Sequence, residues 1–222
     1  MHEVYKPRNQ IEQPKEDKIP YVLSTNETLQ KIVEEIGKLP PDISEIQTLI
    51  NNGIRVNNGN GKNKSRNGDF MGKMAELHIA SLIGKMSEIL PITIAPIPDD
   101  TLKGKYRFRQ KGINYVVFRE PKPLSAIIEY DILSVIDGLP VVWEAKLGHT
   151  VQPAIRSKRI IDVFKPLSEY YGQTNFGYVL VVPKDVPDEN SVAQNRFIER
   201  GGVIATLYGT KEQFQKDTIA SL

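Results

Sequence analysis

Four charged residues lie close together in the stretch IIEYDILSVIDGLPVVWEAKL at 127–147: Glu129, Asp131, Glu144 and Lys146. Two carboxylates beside an ammonium suit hydrolysis at phosphorus. Carboxylate oxygens and a backbone carbonyl are the donors that hard Mg²⁺ or Mn²⁺ prefers, and a neighbouring lysine stabilises charge developing on the phosphoryl group. Asp131, Glu144 and the Ala145 carbonyl are therefore candidate metal ligands, with Lys146 as the catalytic cation.

A β-hairpin would bring these residues together. Asp137-Gly138 stands between two apolar, alternating runs, and an Asp-Gly pair there signals a two-residue turn with positive φ. That turn sets Ile136 opposite Leu139, Asp131 opposite Glu144 and Glu129 opposite Lys146. Period-two alternation gives one apolar face (Ile128, Tyr130, Ile132, Ser134, Ile136, Leu139, Val141, Trp143, Ala145, Leu147) and one charged face. Asp131 and Glu144 form a non-hydrogen-bonded pair, with Cα atoms about 4.5 Å apart in ideal geometry. The plain alternative is a solvated ladder of charges. Like charges directly opposite each other destabilise a ladder, whereas a cation between them reverses the sign of that interaction.

Asp131 followed by Glu144-Ala145-Lys146 on a hairpin resembles the active-site signature of the PD-(D/E)XK nuclease superfamily, with Tyr130 where a proline usually precedes the aspartate. The match spans about 69–183 and extends to the archaeal Holliday-junction resolvase branch. The resemblance implies a restriction-endonuclease-like core and metal-dependent hydrolysis of DNA phosphodiester bonds, with Mg²⁺ or Mn²⁺ as cofactor. A structure-specific, junction-resolving endonuclease acting as a homodimer is the particular form it points to. A nuclease-fold protein that binds nucleic acid or a protein partner without cutting is the alternative.

At 222 residues with a net charge of +2, the chain is large enough for one substantial domain, and its overall charge does not by itself argue for nucleic acid. It has no cysteine, which excludes disulfides, zinc-thiolate sites and a thiol nucleophile. It shows no apolar run of the roughly 20 residues a membrane span needs and no signal-peptide core, so a soluble, cytoplasmic protein is expected.

Along the chain, 1–24 reads as a polar arm and 25–56 as a helical hairpin. Its first helix is capped at Thr25-Asn26 and carries Leu29, Ile32, Val33 and Ile36; its second carries Ile43, Ile46, Leu49 and Ile50. Residues 57–69, NNGNGKNKSRNGD, form a basic loop that is either a linker or a phosphate contact through Lys62, Lys64 and Arg66. The nuclease core would then occupy 70–222. It opens on a helix over 70–83, where Met71, Met74, Ala75, His78 and Leu82 form a core stripe. Glu76 shares a second stripe with Gly72, Ile79, Ala80 and Ile83 and faces the sheet. Gly-x-x-x-Glu on this helix resembles the nuclease helix that supplies a further acidic residue, so Glu76 is assigned to position a water or a second ion.

A short edge strand is expected within 87–98, followed by a hairpin over 106–118 turning at Lys111-Gly112, with Arg107 and Arg109 on its outer face. A helix over 153–171, which Pro166 can interrupt, begins with Arg156, Lys158 and Arg159. These five side chains join the loop cations as candidate DNA contacts. A buried strand at 177–183, a helix at 188–200, a strand at 203–208 and a closing helix from 211 complete an α/β order. That order fits a mixed central sheet flanked by helices.

Overall fold

The apolar run at 177–183 becomes the central strand. In the computed structural model, which describes residues 19–40, 44, 65–121, 125–147, 152–186, 191–210, 212–214 and 216 (side chains of 65–71 and 152–153 excepted), β9 (Asn175–Val182) is buried from Phe176 onward. One of its edges pairs with β8 (Leu139–Ala145), the other with β1 (Val22–Leu23) and β10 (Val203–Thr206), all parallel. A strand covered on both faces and both edges carries no polar alternation. On the far side of β8, β7 (Ile132–Ile136) and the edge strand β2 (Ile92–Ile94) run antiparallel, which makes the sheet mixed.

Helices cover both faces. On one, α1 (Glu27–Lys38) and α2 (Ser65–Ser87) pack Leu29, Ile32, Ile36, Ala75, Ile79 and Ile83 against Ile132, Trp143, Val179 and Val181. On the other lie α3 (Gln152–Ile155), α4 (Ser157–Tyr171), α5 (Val192–Glu199) and a four-stranded antiparallel sheet. That sheet comprises β3 (Thr101–Lys103), β4 (Tyr106–Lys111), β5 (Asn114–Arg119) and β6 (Ala126–Tyr130). Phe108, Tyr115, Tyr130, Phe164, Phe176 and Tyr178 fill the second core. Each fully buried aromatic of this size contributes about 1.5–3 kcal/mol over its exposed state.

The Asp-Gly hairpin forms as expected. Asp137 and Gly138 have φ of 49° and 78°, and the register Ile132↔Trp143 to Ile136↔Leu139 is the one the turn dictates. Asn26 links α1 to it: its side chain accepts from Leu29 N at 2.7 Å, capping the helix, and donates to Ile136 O at 3.0 Å.

Other expectations are corrected. The strand entering the hairpin does not run unbroken from 127: it bends at Asp131, and β6 leaves for the second sheet, where Glu129 pairs with Val116 and not with Lys146. Ile128 and Tyr130 therefore enter the second core, apart from Ile132 and Ile136. The β4–β5 turn is Gly112-Ile113, two residues off in register, which preserves the faces because the side-chain period is two. The break near 153–171 falls at Arg156 (ψ 142°), between α3 and α4, while Pro166 lies within α4. Helix α2 begins at Ser65, inside the expected loop, and β1 lies inside the expected arm. The stripe of α1 packs on the main sheet, and the second helix of the expected hairpin lies outside the described residues apart from Ser44.

Two glycines test this packing. A Cβ on Gly177 would lie 2.8 Å from Val141 Cγ2 on the neighbouring strand, whereas one on Gly72 would meet nothing within 4 Å. Gly177→Ala should lose about 1–3 kcal/mol in urea unfolding. Gly72→Ala, in a helix interior, should gain roughly 0.5–1 kcal/mol.

Candidate metal centre

The bend at Asp131 is part of the site. Continued regularly, the β7–β8 ladder would have the Ala145 N–H donate to the carbonyl of residue 130. Tyr130 has instead turned into the second sheet, and its hydroxyl donates to Val163 O at 2.7 Å. The vacated acceptor position is taken by a side chain: Ala145 N donates to Asp131 Oδ2 at 2.9 Å. Asp131 is thereby held against the end of β8, on the wall of the cleft that Glu144 also lines. The sequence placed these two carboxylates together, and the structure does so with a side chain in place of the last ladder bond.

Glu144 is 6% exposed, on the face of β8 that looks toward α4. Its Oε2 accepts from the Tyr178 hydroxyl, and its Oε1 faces Lys146 Nζ at 2.9 Å and Arg159 Nη2 at 3.6 Å. Burial pushes Glu144 up, but Lys146, the Tyr178 hydroxyl and Arg159 together hold it below the usual carboxylate range. Asp131 goes the other way: burial first, then the charge of Glu76, raise it to about 7 against the opposing pull of Lys146 and the Ala145 amide. It retains surface on the cleft, yet protein surrounds it on its other sides. For Lys146, burial acts to lower the pKa and is outweighed by Glu144 and Asp131, which keep the ammonium above its ordinary value.

Glu76 sits behind Asp131. Its Oε2 accepts from Lys73 Nζ at 2.7 Å and from Asn114 Nδ2 at 2.9 Å, and the same Asn114 amide donates to the Asp131 carbonyl at 3.1 Å. Helix α2 thus does turn Glu76 toward the sheet. His78, by contrast, is 4% exposed and packs near the Phe214 ring. A cleft of about 360 Å³ opens in front of the centre, lined by Ala126, Ile127, Ile128, Glu129, Asp131, Glu144, Lys146 and Arg159. The donor set is all oxygen, which suits Mg²⁺ or Mn²⁺. Among the described residues no three Asp, Glu, His or Cys side chains gather. A cation would therefore be held by Asp131, Glu144 and the Ala145 carbonyl, with water or phosphate completing its shell.

The candidate DNA contacts separate. Arg156 and Lys158 are exposed at the start of α4, and Arg159 is drawn into the centre. Arg107 is paired with Glu120 at 2.7 Å and Asp100 at 3.0 Å, while Arg109 reaches Asp100 at 3.2 Å. Arg107 and Arg109 are therefore engaged by Asp100 and Glu120 and do not stand as free cations. Lys62 and Lys64 lie outside the described residues, as does the side chain of Arg66.

Sequence reasoning missed Tyr178, Asn114 and Lys73. Tyr178 carries the one hydroxyl in the apolar run GYVLVVP, which is the signal that could have drawn attention to it. Asn114 and Lys73 had no such mark.

The fold and site together define an α/β protein with a mixed sheet flanked by helices and two carboxylates, Glu144 buried and Asp131 partly so, at the end of a strand. No protein-family model matches the chain, and no curated protein does. Among solved structures it is similar to protein VC1899 from Vibrio cholerae, with a TM-score of 0.38 and 14% identity over 89% of this chain and 56% of that one. The chain thus spans little more than half of that protein's length. No described helix is long and apolar enough to cross a membrane.

Asp131 makes stability depend on pH. Its folded-state value of about 7 lies above the ordinary 3.8, so its contribution is fully present below about pH 4 and is lost as pH rises through about 7. In chelator, Asp131→Asn should melt higher than the parent at pH 8, and the difference should shrink toward pH 4. A difference independent of pH would contradict the assignment.

Proposed function

We propose that this chain is a metal-dependent deoxyribonuclease of PD-(D/E)XK type, with a restriction-endonuclease-like core, hydrolysing DNA phosphodiester bonds. One observation carries the reading. Asp131 and Glu144 are gathered at the end of β8 beside Lys146, on the wall of a cleft, although burial opposes charge on both and Glu76 opposes it on Asp131. Perturbed titratable groups cluster at functional sites, and Asp131, raised by burial and by Glu76 on the wall of a cleft, is such a group.

Mg²⁺ or Mn²⁺ at Asp131, Glu144 and the Ala145 carbonyl would supply Lewis-acid polarisation of a phosphoryl oxygen. The chain's own groups do the rest. The Ala145 amide fixes Asp131, the Tyr178 hydroxyl fixes Glu144, and Glu76 steadies the Asp131 bend through Asn114. Lys146, with its side chain 38% exposed on the cleft, presents an ammonium to the phosphate. Charge growing on phosphoryl oxygens in the transition state attracts it more strongly than the ground-state diester does. Arg156 and Lys158, exposed at the start of α4, would serve as contacts to the flanking backbone. The same reading takes DNA as partner, a homodimer as the working unit, and a branched duplex as the substrate to compare with linear and flapped ones.

Mg²⁺-dependent cleavage of linear, flapped and four-way DNA tests the proposal. Lys146→Ala should lose about 10²–10³ in single-turnover rate while still melting cooperatively and keeping its DNA affinity. Cleavage at the parent rate would sink the mechanism. Absence of cleavage in the parent, with DNA binding retained, would favour the non-cutting alternative.

DNA affinity provides a separate check. Each phosphate contact adds about 0.9 to the slope of log affinity against log salt, so Arg156→Ala with Lys158→Ala should make the slope shallower by roughly 2. An unchanged slope would place the DNA elsewhere.

A further inference from the structure

Glu76 raises a question that the metal centre leaves open: whether it holds a second divalent ion. The surroundings of its carboxylate argue for a different arrangement. Glu76 Oε2 lies 2.7 Å from the Lys73 ammonium, and the two side chains are only 15% and 18% exposed. This is an enclosed pair, unlike the neighbouring-turn pairs on a solvated helix face, such as Lys38 with Glu34, whose side chains are 59% and 66% exposed.

Asn114, 3% exposed, closes the arrangement. Its Oδ1 accepts from Lys73 Nζ, and its Nδ2 donates both to Glu76 Oε2 and to the Asp131 carbonyl. Every polar atom of this amide is engaged, and a strong donor and a cation already converge on one carboxylate oxygen. A divalent ion taking that oxygen would have to displace the ammonium and strip the oxygen of its donors. Among the described residues Glu76 does not join Asp131 and Glu144 in a three-carboxylate group. The centre also has its own charge balance: Glu76, Asp131 and Glu144 face Lys73, Lys146 and Arg159.

We infer that Lys73 is a built-in cation filling the place at Glu76 where a second divalent ion would otherwise sit, so that the centre takes a single divalent ion. The inference rests on the metal-centre reading above and sharpens it. Glu76 becomes a positioning residue that acts on Asp131 through Asn114, and Lys73 sets the number of ions.

Isothermal titration of the full chain with MnCl₂ tests this without reference to cleavage. The parent should bind one Mn²⁺. Glu76→Gln should keep that one binding event, its affinity lower by no more than about 10–100-fold, because Glu76 acts on the ligand Asp131 and not on the ion. Lys73→Gln, which removes the ammonium and keeps a polar side chain, should gain a second, weaker binding event, and adding Glu76→Gln to it should abolish that event. Two ions in the parent, loss of the ion in Glu76→Gln, or one ion in a folded Lys73→Gln would each overturn the inference while leaving the Asp131–Glu144 centre standing. No ion in the parent would overturn that centre and this inference with it. If Lys73→Gln fails to melt cooperatively, the parent stoichiometry and the Glu76→Gln affinity decide.

Discussion

A buried carboxylate must be given partners, and the arrangement around Glu144 follows from that requirement. Leaving it unpaired in the interior would cost several kcal/mol, roughly the 3–5 lost when a buried ion pair is broken. Three elements supply what it needs: β9 provides Tyr178, the end of β8 provides Lys146, and α4 provides Arg159. The hydroxyl holds one oxygen and the cations face the other. Among the described residues Asp131 has a lighter escort: a single backbone amide donates to it, Lys146 acts on it by charge alone, and Glu76 opposes its ionisation. One acid is stabilised as an anion and its neighbour is held poised near neutrality. A divalent ion would satisfy both.

The fold can be read as the means of building that asymmetry. The chain leaves one sheet and enters the other at a single residue, and that residue is Asp131. A regular strand would have met the Ala145 amide with a backbone carbonyl; the bend lets a side chain do so, which aims a carboxylate into the cleft. Asn114, at the start of β5, secures the same bend from behind by holding the Asp131 carbonyl. The second sheet is therefore more than an appendage to the central one. Its strands β5 and β6 fix the position from which Asp131 reaches the site.

The distribution of what the sequence disclosed has physical reasons. The register of β7 on β8 was legible because Asp137-Gly138 admits few turn geometries, and the apolar pattern around it forbids a one-residue slip. The bend was not legible, since Glu-Tyr-Asp-Ile alternates in the same way whether a strand continues or turns into another sheet. Glu76 could be read as facing the sheet because a helical stripe fixes azimuth, but its partner Lys73 lies one turn earlier and looks like any surface lysine. Tyr178 was hidden by the very signal that identified its strand, a run of apolar residues. Arg107 and Arg109 looked like a basic ribbon because Asp100 and Glu120, which neutralise them, approach from loops whose path no local pattern specifies.

A hard cation shared by Asp131 and Glu144 would be visible by diffraction from crystals soaked in Mn²⁺. An anomalous peak about 2.0–2.2 Å from one oxygen of each carboxylate, with the Ala145 carbonyl in the same shell and nothing at Glu76, is the expected result. An empty Asp131–Glu144 site under saturating Mn²⁺, with Lys146 still paired to Glu144, would leave these charges as a structural network with no metal.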